Sequence, residues 1–84
     1  MRILLVEDQA MVRGALAALL SLEKGFDVTQ AEDGERAKRL LQENTFDILL
    51  TDIEMPLLSG LELVSWIRER KLPMKTIILT TFSR

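Results

Sequence analysis

This sequence predicts a doubly wound α/β fold around a parallel sheet, on three observations. Apolar strand-like runs alternate with helix-like stretches along the whole chain. Three of the runs are near-continuous in Ile, Leu and Val, as in strands covered by helices on both faces. Each of those three leads straight into polar residues: Glu7-Asp8, Asp52 and Thr80-Thr81. Ligands of an open parallel sheet bind at the carboxyl ends of its strands. If the three strands are parallel neighbours, three carboxylates and a hydroxyl meet at one edge.

The elements follow in order. Strand one covers Arg2–Val6. A helix is expected over 9–22, where Val12, Ala15, Leu16, Leu19 and Leu20 recur at i, i+3, i+4, i+7 and i+8 as one core-facing stripe. Asp8 is placed to cap that helix, and Gly25 suits the turn after it. Residues 26–31 alternate as a half-buried second strand. Asp33-Gly34 marks a turn and a cap, and 35–43 reads as a helix with Ala37, Leu40 and Leu41 inward and Arg36, Lys38 and Arg39 outward. Strand three covers 46–51. The loop Met55-Pro56-Leu57-Leu58-Ser59-Gly60 precedes a helix over 61–70, read with a Leu61/Val64/Ile67 core stripe and with Leu63 and Trp66 at its periphery. Pro73 stops it. Strand four covers 75–80. Strand-helix-strand crossovers imply parallel pairing with right-handed connections.

Composition narrows the function. A chain of 84 residues forms one domain at most. Its net charge of −2 leaves no basic footprint for direct nucleic-acid binding. Cysteine is absent, which excludes disulfides and thiolate-held metals and fits a reducing, cytoplasmic setting. Histidine is absent too, removing the commonest general base and the usual zinc ligand. Any metal must be held by oxygen, which points to magnesium, manganese or calcium. No apolar run approaches the ~20 residues of a membrane span.

Taken singly, the acidic residues have plain explanations. An acidic pair after a strand is a solvated turn and helix cap, and Thr80-Thr81 is β-forming filler. Together they fall at one edge of one sheet. Carboxylates within a few ångströms repel one another, and a hard divalent cation resolves that conflict by taking carboxylate, carbonyl and water oxygens. Such an ion can then neutralise charge on an incoming phosphoryl group.

Leu4-Leu5-Val6-Glu7-Asp8, Ala31-Glu32-Asp33-Gly34, Asp52-Ile53-Glu54-Met55-Pro56, Gly60 eight residues after Asp52, and Thr80 at the end of strand four form one pattern. It resembles the receiver domains of two-component response regulators, over the whole chain. The resemblance implies a flavodoxin-like (CheY-like) fold with strand order 2-1-3-4-5. It implies that Asp52 is the phosphoacceptor, that Glu7, Asp8 and Asp52 hold Mg²⁺ with the main-chain carbonyl of Glu54, and that Thr80 is the switch hydroxyl. It also implies a histidine kinase as phosphodonor and no turnover activity of the domain's own. The Thr-Thr-Phe ending of strand four is most similar to the subfamily with a helix-turn-helix output, so DNA would be reached only through an output domain outside these residues.

The resemblance departs at the end of the chain. The family carries a fifth strand with a phosphoryl-pairing lysine, and helices four and five; these residues have no counterpart to them. Lys75 cannot substitute, because it lies at the far end of strand four, roughly 16 Å from Thr80 at ~3.3 Å per residue. The chain is therefore expected to be a partial receiver domain, strands one to four and helices one to three, with no second domain. Strand four would form an apolar edge and favour a homodimer or an element-swapped oligomer. Two other readings stand beside this one. A small Asp-based phosphotransferase of the haloacid-dehalogenase type expects D-x-D, where Asp52-Ile53-Glu54 stands here. A non-phosphorylated α/β interaction module would leave the acids without phosphate chemistry. Dinucleotide binding is disfavoured, since no G-x-G-x-x-G follows strand one.

Overall fold

The computed structural model describes residues 1–79. Along the chain run β1 (Arg2–Val6), α1 (Ala10–Ser21), β2 (Asp27–Ala31), α2 (Gly34–Glu43), β3 (Ile48–Asp52), α3 (Gly60–Glu69) and β4 (Lys75–Leu79). The four strands make one parallel sheet in the order β2-β1-β3-β4. That order agrees with the expected doubly wound fold. β4 pairs only with β3 among the described residues. Strand four's expected last residue, Thr80, lies outside them.

Strand pleating sorts β1 by parity. Leu4 and Val6 join Leu49 of β3 in the main core, with Ala37 and Leu41 of α2 and Leu63, Val64 and Ile67 of α3. Ile3 and Leu5 point to the opposite face, toward α1, and are also buried. Among the described residues the sheet therefore lies between α2 and α3 on one side and α1 alone on the other.

Two expected stripes are corrected. On α1 the expected face was Val12, Ala15, Leu16, Leu19 and Leu20; Val12, Leu16 and Leu20 are half-buried, but Ala15 and Leu19 are exposed and Ala17 is the fully buried residue. A single helix on an open face is touched from below only, so its flanks stay in solvent. On α3 the buried set is Gly60, Leu63, Val64 and Ile67, while Leu61 is exposed. This is the i, i+3, i+4, i+7 set counted from Gly60, which starts the helix one residue earlier than the sequence suggested. Trp66 is half-buried beside the core.

Helix starts show how local chemistry shapes the chain. At α2, Asp33 Oδ1 accepts from the Arg36 N–H at 2.8 Å, the cap expected there. At α3, Ser59 and Glu62 form a reciprocal capping box: Glu62 N–H donates to Ser59 Oγ at 3.1 Å, and Ser59 N–H donates to Glu62 Oε1 at 3.2 Å. At α1 the expected cap does not form. Gln9, not Asp8, holds the N-cap position, and its side chain makes no capping bond among the described residues. The reason is that Asp8 is drawn into the acidic cluster described next.

Candidate functional site

The carboxyl edge of the sheet collects the acidic residues by register. β1 and β3 pair with Val6 opposite Thr51, so the next residues along, Glu7 and Asp52, stand level with each other. Val6 and Thr51 face α2 and α3, so pleating turns Glu7 and Asp52 to the α1 side. Glu7 extends the β1–β2 ladder by one bond, its N–H donating to Ala31 O at 3.1 Å. Its side chain is fully buried, and so, nearly, is that of Asp52. Asp8 follows at the mouth, partly buried. One carboxylate oxygen from each of Glu7, Asp8 and Asp52 lies within 4.8 Å of the others. Three of the residues expected to form the site are thus brought together.

Main-chain bonds orient these side chains. Asp52 Oδ1 accepts from Ile53 N–H at 2.8 Å, which fixes the plane of its carboxylate. Glu7 Oε1 accepts from Gln9 N–H at 3.0 Å. Glu54, whose main-chain carbonyl was the fourth expected ligand, lines a shallow cleft with Asp8, Ile53, Met55, Pro56 and Ser59. Thr80, the expected switch hydroxyl, lies outside the described residues. Lys75 pairs with Ile48 at the opposite end of the sheet, away from the acids as expected.

The loop after Asp52 is held by close backbone packing. Gly60 N–H donates to Ile53 O at 2.8 Å, and a Cβ at Gly60 would collide with the Asp52 carbonyl oxygen. Glycine is needed there for room, so that α3 can begin against the main chain of Asp52. Leu58 folds back onto the start of α2, where a Cβ on Gly34 would come within 2.7 Å of its side chain. Leu57, immediately before Leu58, carries a φ of 72°, in the left-handed region.

Sequence reasoning missed three features here. Ser59-x-x-Glu62 is a readable capping-box signal. The left-handed Leu57 has no signal, since leucine is not a residue that marks such a turn. Arg13, whose Nη1 donates to the Glu7 main-chain carbonyl at 2.9 Å, reaches back from α1 across a span that no local pattern encodes.

The donor set suits a hard cation. Carboxylate oxygens on a rigid sheet edge, without nitrogen or sulfur donors, are the ligands of magnesium, manganese and calcium. The fold and the edge define a class: doubly wound domains that gather acidic side chains where their strands end. Within that class, the chain belongs to the response regulator receiver domain family, whose pattern matches residues 3–84. Receiver domains act as phosphoacceptors in two-component signalling. The chain is 42% identical over 84 residues to the "uncharacterized transcriptional regulatory protein YvfU" of Bacillus subtilis (strain 168), covering 99% of this chain and 42% of that protein. Among solved structures it is similar to a DNA-binding response regulator of the LuxR family from Staphylococcus aureus, with a TM-score of 0.89 and 37% identity, covering 99% of this chain and 70% of that one. It is also similar to the response regulator TrrA of Thermotoga maritima in complex with Mg²⁺-BeF, with a TM-score of 0.89 and 39% identity, covering 98% of this chain and 70% of that one. The chain therefore spans less than half the length of the curated relative and about 70% of these solved chains. No helix among the described residues is long and apolar enough to cross a membrane.

Proposed function

We propose that Asp52 accepts a phosphoryl group from the phosphohistidine of a sensor kinase, with Mg²⁺ held by Glu7, Asp8, Asp52 and the Glu54 main-chain carbonyl. The observation that carries this reading is the meeting of three carboxylates within 4.8 Å at the sheet edge. The response regulator TrrA, solved with Mg²⁺ and BeF, supports the choice of metal.

Each residue's part follows from its place. An Asp52 carboxylate oxygen attacks phosphorus, the phosphorus–nitrogen bond of the donor breaks, and the imidazole keeps the electron pair. Asp52 is left as an acyl phosphate. Phosphoryl transfer depends on positioning and charge neutralisation more than on basicity. The Ile53 N–H positions the nucleophile, and burial keeps water from competing for it. Glu7 and Asp8 bring the negative charge that selects a divalent cation. When bound, Mg²⁺ would neutralise charge on the phosphoryl oxygens. Thr80, which follows β4 in the sequence, would donate its hydroxyl to the phosphoryl group and so couple the chemistry to a structural change.

On this reading the chain is a partial receiver domain, working in the cytoplasm and not a turnover enzyme. Its output is transcriptional, through a DNA-binding domain beyond these residues, as the names of its relatives suggest. The test has two parts. Calorimetric Mg²⁺ titration of the full-length protein should show binding that is lost or sharply weakened in Asp8→Asn and in Asp52→Asn. Acetyl phosphate followed by borohydride trapping and mass spectrometry should then place the label on Asp52. Unchanged Mg²⁺ binding in both variants removes the metal, and label persisting in Asp52→Ala removes the acceptor.

A further inference from the structure

The helix that follows Glu7 and Asp8, α1, begins without a side-chain cap among the described residues. Helix N-termini are commonly secured by Ser, Thr, Asp or Asn at the N-cap. α1 has Gln9 there without a side-chain cap bond, and no acidic residue stands in its first turn. Gln9 N–H donates to Glu7 Oε1 at 3.0 Å and Arg13 N–H to Gln9 O at 2.9 Å, both local to the helix start. The bond from the Arg13 side chain is different in kind. Arg13 Nη1 reaches back past its own helical turn and donates to the main-chain carbonyl of Glu7 at 2.9 Å, in a partly buried setting.

That carbonyl belongs to the peptide unit joining Glu7 to Asp8. A peptide unit is planar from one Cα to the next, so holding its oxygen holds the Cα of Asp8 as well. We propose that Arg13 is a positioning residue for the acidic site: its guanidinium pins the Glu7–Asp8 peptide plane and so sets where the Asp8 carboxylate stands relative to Glu7 and Asp52. The inference rests on reading the acidic cluster as a metal site. It adds a residue that touches neither the metal nor the phosphoryl group and acts through the main chain.

The sign of the effect separates positioning from simple electrostatics. Arg13 is a cation close to a site for a cation, so by Coulomb's law alone its removal should tighten Mg²⁺ binding. If Arg13 pins the peptide plane, its removal should loosen the ligand set and weaken binding. Outer-shell partners of metal ligands typically change affinity by about 10- to 100-fold. Arg13→Met keeps an unbranched stem for packing and removes the donor, and Arg13→Lys keeps one charged donor.

The experiment is calorimetric titration of Mg²⁺ alone into the full-length protein, its Arg13→Met, Arg13→Lys and Asp8→Asn variants, each first shown to be folded by circular dichroism. The expected result is an affinity about tenfold weaker in Arg13→Met, the lower end of that range, with partial recovery in Arg13→Lys. Affinity that is unchanged or tighter in Arg13→Met, or an equal loss in both Arg13 variants, overturns the inference. Asp8→Asn keeps the two failures apart. If it binds Mg²⁺ like the parent, the metal reading itself fails. If it alone loses binding, that reading stands and only the role of Arg13 falls. Should Arg13→Met not fold, the Lys variant decides, since a positioning bond predicts affinity between that of the parent and that of Asp8→Asn.

Discussion

Leu57 sits in a backbone conformation that leucine avoids. Its φ is 72° and its side chain is 81% exposed. A left-handed conformation costs an L-residue roughly 1–2 kcal/mol, and an exposed leucine recovers none of this through burial. Glycine adopts such a φ without steric cost, although it loses roughly 0.5–1 kcal/mol more in chain entropy on folding. Relief of strain exceeds that loss. Leu57→Gly should therefore raise stability by about 0.5–1 kcal/mol, seen as a higher urea midpoint at an unchanged slope. A lower midpoint would show that the leucine contributes to folding in a way its exposure does not reveal. The acids at this scale were readable in advance, since Glu7-Asp8 and Asp52 stand at the ends of largely apolar runs. The strain at Leu57 was not, because it comes from folding the loop between Asp52 and Gly60 and not from leucine's own preference.

At the scale of the element, α3 shows how a buried face can be shifted at its edge. Val64 and Ile67 of the expected stripe are buried, and Gly60 and Leu63 complete the face where Leu61 was expected. The Ser59–Glu62 capping box sets the start, and the approach of Gly60 to the Asp52 carbonyl anchors it. Ser59→Ala removes one half of the box and should cost about 1 kcal/mol. The loss should appear in thermal denaturation as a lower midpoint with the native fold retained. No change would mean that water caps the Glu62 N–H as well as the serine does. α1 illustrates the opposite case. Its apolar periodicity was legible, yet burial settled on Ala17, because nothing on its face of the sheet packs beside it among the described residues.

At the scale of the whole molecule, the two faces of the sheet are unequally covered among the described residues. α2 and α3 close one side. On the other, Leu19 of α1 is 64% exposed and Ile77 of β4 is 46% exposed. β4 also forms the edge of the described sheet, and an open edge offers unpaired backbone to any partner strand. A second copy can cover both the edge and the apolar side chains. The 84-residue chain expressed by itself should therefore associate with itself, independently of phosphorylation. Sedimentation velocity over a concentration series measures this directly, and a folded monomer at the highest concentration would overturn it.

Order along the chain was enough to specify β/α alternation, parallel pairing and the ends of β1 and β3 as the edge where the acidic residues gather. Those features follow from apolar periodicity and from the handedness of crossovers, both written in local residue types. The burial of Glu7 and Asp52, their level register across β1 and β3, and the bond from Arg13 to the Glu7 carbonyl arose only when the strands lay side by side. Register between strands depends on how whole faces pack, and a side chain reaching six residues back depends on where a helix docks. Neither is encoded in the neighbours of the residues concerned, so each is settled by packing alone.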